Sequence, residues 1–582
     1  MKIHRIVNPI AYENTYLLEN EDDLLVVDPG SAWERIRSRI DQLAKPIAAI
    51  LLTHTHYDHI MSLERVRETY GHPPVYVDAH EATWLQSPVD NLSGLDRHSD
   101  LMDVVCQPAE ELFDYQTDYH LSADCWSGFF GQNNTWGGGN SNVTYYLNDS
   151  WISGTYKRAY TNALDPWKKL KAAAEKNNTP EVFALAQILK ISAWHKALEC
   201  FGPMPYSHAA DATMNIPFDS EKDIYTAIFK DLTDAIAILT EKAENGVEVM
   251  KEYDVVYAGN STKWVKYANS LLLRLAMRVR YADAALSKQY VSQALSHSIG
   301  VMTAKDDEAQ MSTGAGYTFR NNIYWLSEQY DESRMGSSMF SYLMGYEDPR
   351  LSAYFLPVDS KSTKGQEAFD GKLYQAVPAG HLYGKNDEYK MFSKPNIQAS
   401  TPTYWMRASE VYFLRAEAAL VWGGEFGNAE DLYKQGIEMS FQENGVSSSV
   451  DTYMNSGKTP IKHEVTGNYS CSFAAPCTTT AKFEGSTEQK LEKIMIQKWI
   501  ALFPNGQEAW TEWRRTGYPK LNPVMANRGS SQGVTTEGGI RRMVYPISFY
   551  QTADGQVIYN DAVKMLSNGQ DLPSTHLWWD CK

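Results

Sequence analysis

The densest chemistry in the chain lies in Leu51-Leu52-Thr53-His54-Thr55-His56-Tyr57-Asp58-His59, where an apolar run leads into the histidines and a helical stretch follows them. Side chains two apart at the end of a strand can converge on one ion. Asp58 and His59 can turn toward a second ion one step later. Imidazole with carboxylate is a donor set suited to zinc or iron. Four such ligands within six residues, His54, His56, Asp58 and His59, point to a metal site rather than to a solvated polar turn.

These ligands need a scaffold, and the sequence offers an α/β one over its first 120 residues or so. Leu24–Val27, Ala48–Leu52 and Pro74–Val77 are short apolar runs of the kind that form buried strands, with helical stretches at Ala32–Leu43 and Leu63–Tyr70. The character then changes. Eight of the 14 histidines fall before residue 121, but only Trp33 and Trp84 of the 16 tryptophans do. Long helical stretches follow, at Pro166–Lys176, Pro180–Cys200, Ser220–Lys242, Thr262–Tyr281, Ala284–Ser298, Ala408–Trp422, Asn428–Phe441 and Thr487–Leu502, separated by polar, Gly- and Asn-rich loops. Paired helices of this length suggest stacked helix-turn-helix units of the tetratricopeptide type, without a clean repeat at the period of about 34 residues.

A chain of 582 residues is too long for one ordinary core. Its formal charge of -17 disfavours nucleic acid or an anionic lipid surface as the main partner, since both demand excess Lys and Arg. The 36 tyrosines and 16 tryptophans favour a surface that binds through ring faces. Of the six cysteines only Cys471 and Cys477 are close enough to suggest a pair. The start of the sequence is polar and charged throughout, so it reads as neither signal peptide nor membrane span, and as written it implies the cytoplasm.

The HxHxDH run after Leu51-Leu52-Thr53, the earlier Val26-Val27-Asp28-Pro29-Gly30 and the later Pro74–Val77 together resemble the amino-terminal half of a metallo-β-lactamase-fold hydrolase of the glyoxalase II-like kind, over residues 1–118. The resemblance implies that His54 and His56 hold one metal, Asp58 and His59 another, with zinc as the expected ion. A water between the metals would then attack a thioester or ester carbonyl. The family also needs a later Gly-His, a bridging Asp in a Gly-Asp step and a final His. The nearest string, Ser296-His297-Ser298-Ile299-Gly300, ends a helical stretch and is read as coincidence. The hydrolase is therefore expected to be incomplete and inactive.

From Leu121 onward the chain resembles a SusD/RagB-type nutrient-binding lipoprotein of the outer membrane. The resemblance rests on Leu121–Phe130, Asn140–Trp151, Trp194 with Phe201-Gly202-Pro203-Met204-Pro205-Tyr206, Asp348-Pro349-Arg350, Tyr404–Leu420, Glu492–Leu521, Gly539–Pro546 and Trp578-Trp579-Asp580. It implies a mostly α, tetratricopeptide-like domain with long loops over residues 119–582, behind a partial α/β metallo-β-lactamase-type fragment. The family is not enzymatic and requires no cofactor. It captures a glycan, or sometimes a peptide, at the cell surface for a SusC-like TonB-dependent transporter, held to the outer membrane by a lipid anchor. Neither a signal peptide nor a lipid-acceptor site is found here, Cys106 lacking the small-residue context. Ring faces and polar groups are what neutral sugars need, so the candidate ligand residues are the loop aromatics Trp126, Phe129, Trp136, Tyr324, Trp325 and Tyr383. Trp136 leads because Asn133, Asn134, Gly137 and Gly138 surround it. Arg514 and Arg515 read as structural ion-pair partners. Phe113–His120 joins the two parts with no Gly-, Ser- or Pro-rich linker, which suggests an artificial or erroneous fusion of two incomplete families.

Overall fold

The structure is a computed structural model, describing residues 2–10, 12–78, 81–87, 91–93, 115–211, 216–313, 319–328, 330–359, 373–382, 389–466 and 470–582. Tyr383 and Cys106 lie outside the described residues. The chain divides into two compact units, Met1–Phe113 and Asp114–Lys582.

The front unit is built on a five-stranded sheet: β1 (Lys2–Val7), β2 (Asn14–Glu19), β3 (Leu24–Val27), β4 (Ile47–Leu51) and β5 (Val75–Tyr76), in that order across the sheet. The first three strands run antiparallel and the last two pair in parallel. Parallel neighbours need a crossover, which α1 (Trp33–Leu43) supplies between β3 and β4, and α2 (Tyr57–Ile60) with α3 (Leu63–Thr69) between β4 and β5. Ile36 and Ile40, one turn apart on α1, join Leu17, Leu24, Val26, Ile50, Leu63, Val66 and Val75 in the core. Strands β1 and β2 were not anticipated from the sequence. The lysine, histidine and arginine of β1 interrupt its apolar residues, and only Ile6 of that strand is buried, while Ile3 and Val7 stay exposed.

The second unit is helical. Its helices are α4 (Asp149–Arg158), α5 (Asp165–Asn177), α6 (Pro180–Phe201), α7 (Glu221–Glu244), α8 (Ser261–Arg278), α9 (Ala284–Ser296), α10 (Asn322–Glu328), α11 (Ser337–Gly345), α12 (Leu351–Tyr354), α13 (Ala408–Trp422), α14 (Ala429–Glu443), α15 (Val450–Met454), α16 (Thr487–Ala501), α17 (Gly506–Thr516) and α18 (Ala553–Lys564). Successive helices α5 to α9 pack against one another in turn, and α13 packs with α14 and α16. Their starts are set by side-chain caps: Ser220, Asn260, Asp283, Asn428 and Asn505 each accept from a backbone N–H of the first turn, and Ser486 with Gln489 forms a capping box. Helix α6 stops at Gly202, whose φ of +83° suits glycine and where a Cβ would come within 2.8 Å of Leu577. Trp579 is wholly buried, with the Arg278 and Arg514 guanidinium groups 5.6 and 4.8 Å from its ring centroid. Short antiparallel ladders pin the loops: β6 (Phe130–Gln132) with β8 (Ser333–Met335), β7 (Ala309–Met311) with β9 (Thr403–Met406), and β10 (His463–Val465) with β11 (Cys471–Phe473). Cys471 and Cys477 are thiols rather than a disulfide. The Asp348-Pro349-Arg350 turn is a buried knot: Arg350 donates to Asp348 at 2.9 and 2.6 Å, to Ser440 at 3.0 Å and to Gln497 at 2.9 Å.

Candidate functional site

In the front unit the metal motif sits where β4 runs out. Asp28, at the end of β3 with φ +48°, accepts from Thr53 N–H at 2.8 Å and from Thr53 Oγ1–H at 2.6 Å, and so fixes the backbone that starts the histidine run. Thr55 N–H donates to Glu81 Oε2 at 2.7 Å and Tyr57 N–H to Asn91 O at 2.9 Å. The rings of His54 and His59 lie 3.8 Å apart and those of His54 and His56 4.8 Å apart. His59 Nδ1 is 3.1 Å from Asp28 Oδ2, and its Nε2 is 3.7 Å from Asp58 Oδ2. All four motif residues thus belong to one cluster.

Electrostatics separate the two central imidazoles. Burial and the neighbouring His59 and His56 hold His54 below its ordinary value, so it is neutral and offers a lone pair at neutral pH. Burial alone would lower His59, but Asp28, Asp58 and Glu13 outweigh it and raise its pKa. Glu13, absent from the sequence-based set, is buried beside these groups, and burial pushes its carboxyl up to about 8. Neutral imidazole and clustered carboxylates fit a divalent ion chemically. The motif's ligand atoms have not converged on a point: among the described residues, the His, Cys, Asp and Glu triple whose ligand atoms all lie within 4.8 Å is His195, Glu199 and Glu508, in the second unit.

That triple belongs to an ion-pair network. Arg278 donates to Glu199 at 3.0 Å and to Glu508 at 2.6 Å, and also bonds Glu512. Arg274 makes a two-pronged contact with Glu410 at 2.7 and 2.6 Å. Lys498 lies 3.0 Å from Glu512. These groups come from α6, α8, α13, α16 and α17, and none is exposed. The packing of α6, α7, α9 and α13 around α8 shuts Arg274 and Arg278 away from water, and carboxylates meet both, with the Trp405 carbonyl also accepting from Arg274 at 3.1 Å. Arg515 is an ion-pair partner as expected. Arg514 instead donates to the carbonyls of Glu199 at 2.7 Å and Arg541 at 2.8 Å. Burial drives His195 down to about 3, and its Nδ1 sits 2.8 Å from Ile191 O. The positive charge that a metal would bring here is already supplied by arginine.

The nominated aromatics separate by burial. Phe129 has no exposed surface and lies between the rings of Trp499 and Phe503, at 5.3 and 5.6 Å. Trp126 donates its Nε1–H to Asn142 O at 2.8 Å and packs on Trp510 at 4.8 Å. Trp325 is buried against Tyr330 at 4.3 Å. Core packing covers these three, so they correct the expectation that loop position leaves a ring face open. Trp136 and Tyr324 are half-buried. Trp136 donates its Nε1–H to Glu332, whose second oxygen accepts from Gln116, and Asn133 N–H donates to Glu332 O at 3.1 Å. Beside it, a Cβ on Gly137 or Gly138 would meet nothing within 4 Å. Trp151, which the sequence did not nominate, stands edge-on to Trp136 at 6.5 Å and is also half-buried. Its place 15 residues on, at the start of a helix, carried no local signal of this pairing.

Comparison with known proteins gives the scaffold its family. The family model for SusD-like proteins, the SusD and RagB outer membrane lipoproteins, matches residues 90–580. The chain belongs to the SusD/RagB family. A chitin-binding SusD homologue of Flavobacterium johnsoniae is 32% identical with a TM-score of 0.72, the match covering 81% of this chain and 95% of that one. A SusD homologue of Bacteroides ovatus is 32% identical with a TM-score of 0.74, covering 81% and 96%. The body of this SusD-family chain is thus of a non-enzymatic binding type. Residues 10–114 match the metallo-beta-lactamase superfamily model. A probable metallo-hydrolase of Streptococcus pyogenes is 49% identical over 138 residues, and the probable metallo-hydrolase YqgX of Bacillus subtilis 34% identical over 151. These matches cover 24% and 26% of this chain, and 60% and 67% of the two hydrolases. Among the described residues no helix is long and apolar enough to cross a membrane.

Proposed function

We propose that the second unit captures a glycan at the cell surface and delivers it to a SusC-like TonB-dependent transporter. The observation that carries this reading is Trp136: a half-exposed indole, locked in orientation by the buried Glu332, beside Trp151 and an open glycine turn. A held ring of this kind stacks on the apolar face of a sugar at little ordering cost. Tyr324 is a second candidate face. The chitin-binding relative makes N-acetylglucosamine oligomers the first ligands to try. The test is calorimetric and fluorescence titration of the full chain against chitin, plant, host and microbial oligosaccharides. Saturable binding that Trp136→Ala abolishes supports the site. Binding that survives Trp136→Ala and Trp151→Ala removes it, and silence across the panel sends the search to peptides.

The front unit supports a second reading, a divalent-cation site with hydrolase ancestry. Its support is the gathering of His54, His56, Asp58 and His59 into one cluster behind the Asp28–Thr53 clamp. His54 and His56 would hold one ion, zinc by resemblance, with Asp58 and His59 on the side facing Asp28. When bound, the ion would activate water toward a thioester or ester carbonyl. Asp28 orients His59 through its Nδ1, and the neutral His54 stands ready as a donor. Zinc content of the purified chain, lost in His56→Ala and Asp58→Ala, tests this reading.

A further inference from the structure

Glu13 stands out because both of its carboxylate oxygens are buried and neither accepts a hydrogen bond. Only 7% of the residue is exposed. The Asn8 amide on the facing segment donates to Thr15 Oγ1 at 2.9 Å and offers Glu13 a contact too weak to offset its burial. A buried carboxylate without a donor costs several kcal/mol unless a positive charge compensates it.

Its position is as telling as its isolation. An added Cβ on Gly30 would lie 2.0 Å from Glu13 Oε2 and 2.6 Å from Asp58 O. The missing side chain of Gly30 therefore leaves the gap through which the Glu13 carboxylate reaches the backbone of the metal motif. That gap is held open on both sides. Gly30 N–H donates to Thr15 Oγ1 at 3.1 Å, and Gly30 O accepts from Ser62 Oγ–H at 2.5 Å. Around His59 there are then three carboxyl groups, Glu13, Asp28 and Asp58, which a divalent cation would let ionise together.

We propose that Glu13 is a ligand to a divalent cation bound by the front unit, delivering a carboxylate oxygen across Gly30 to the side of the cluster formed by Asp58 and His59. The inference rests on the cation reading of the front unit and adds to it a donor outside the HxHxDH run. The cation supplies the charge that the buried carboxylates lack. Gly30, third in the Asp28-Pro29-Gly30 step, is required for access.

The test is zinc binding by the apo full chain, measured by competition with a chromophoric chelator, alongside thermal melting with and without zinc. The wild type should bind zinc, and Glu13→Gln should weaken binding about ten- to a hundredfold, with partial recovery in Glu13→Asp. In the metal-free protein at neutral pH Glu13→Gln should melt close to the wild type, because burial keeps the Glu13 carboxyl protonated and the amide is nearly its size. Gly30→Ala should weaken zinc binding as well, by occupying the gap. Zinc affinity in Glu13→Gln equal to wild type overturns the assignment and leaves the cation reading standing. A wild type that binds no zinc overturns both.

Discussion

Arg515 and Glu417 meet face to face, Nη1 to Oε1 and Nη2 to Oε2, each at 2.7 Å, and neither side chain has any exposed surface. The pair joins α17 to α13 across 98 residues. Through Glu512, which Arg515 also holds at 2.6 Å, it continues to Arg278 and Lys498. Burial opposes ionisation of Glu512, yet Arg515, Lys498 and Arg278 outweigh it and keep the carboxyl well below its usual range. The helices of the second unit are thereby fixed in register by matched charge as well as by apolar packing.

Removing one partner leaves the other in a dry interior with only part of its charge matched, by Arg280 for Glu417 and by Glu512 for Arg515. Arg515→Met or Glu417→Leu alone should each cost about 3–5 kcal/mol, and the double replacement less than the sum. Urea unfolding followed by tryptophan fluorescence reads this out for the second unit, since only Trp33 and Trp84 of the tryptophans precede it.

Packing and binding separate between two neighbouring aromatics. Phe129→Ala should destabilise the second unit by about 3–5 kcal/mol through the cavity it leaves, with ligand affinity kept in the folded fraction. Trp136→Ala should cost about 1–3 kcal/mol by depriving Glu332 of a donor and should abolish glycan binding. Denaturation midpoints and calorimetric affinities of the two variants provide the comparison.

Glu221 gives a pH dependence of definite sign. Burial raises its carboxyl from 4.5 to about 7, although Trp578 N–H donates to it at 3.0 Å. The folded state therefore holds its proton more tightly than the unfolded chain does. This contribution to stability is fully present below pH 4.5 and is lost as pH rises through 7. Between pH 5 and 8 the melting temperature of Glu221→Gln should rise relative to wild type. A constant gap between the two would assign the cost to something other than this ionisation.

Zinc should act on the front unit alone. At about a hundredfold excess over its dissociation constant it stabilises by about 2.7 kcal/mol, so a chelator should lower the front unit's melting transition and leave the second unit's in place. His54→Ala should abolish the shift, which differential scanning calorimetry resolves.

The long helices were legible because their signals are local. Gly202 followed by Pro203 marks the end of α6, and Ser220 and Asn428 mark starts within a residue or so of where the helices begin. The histidine cluster was legible because its four ligands are nearly contiguous. What escaped depended on the third dimension. The charged residues of β1 hid its strand character, and the burial of Arg274 and Arg278 on α8 follows from four neighbouring helices that no local pattern announces. Trp126 and Phe129 sit in a loop-like sequence that folds inward. Glu13 could not be found from sequence, because its importance arises from a gap above a glycine 17 positions away.

Trp579 imposes an order on the making of this molecule. Its indole fills the space against Arg278 and Arg514, and the adjacent Trp578 amide ties down Glu221 at the start of α7. A chain emerging from its amino end can form α6, α7 and α8 early, but the ring that covers Arg278 and Arg514 arrives only with residue 579. Nascent chains of the second unit should therefore depend on holding factors, and truncations that remove Trp578 and Trp579 should behave as folding defects.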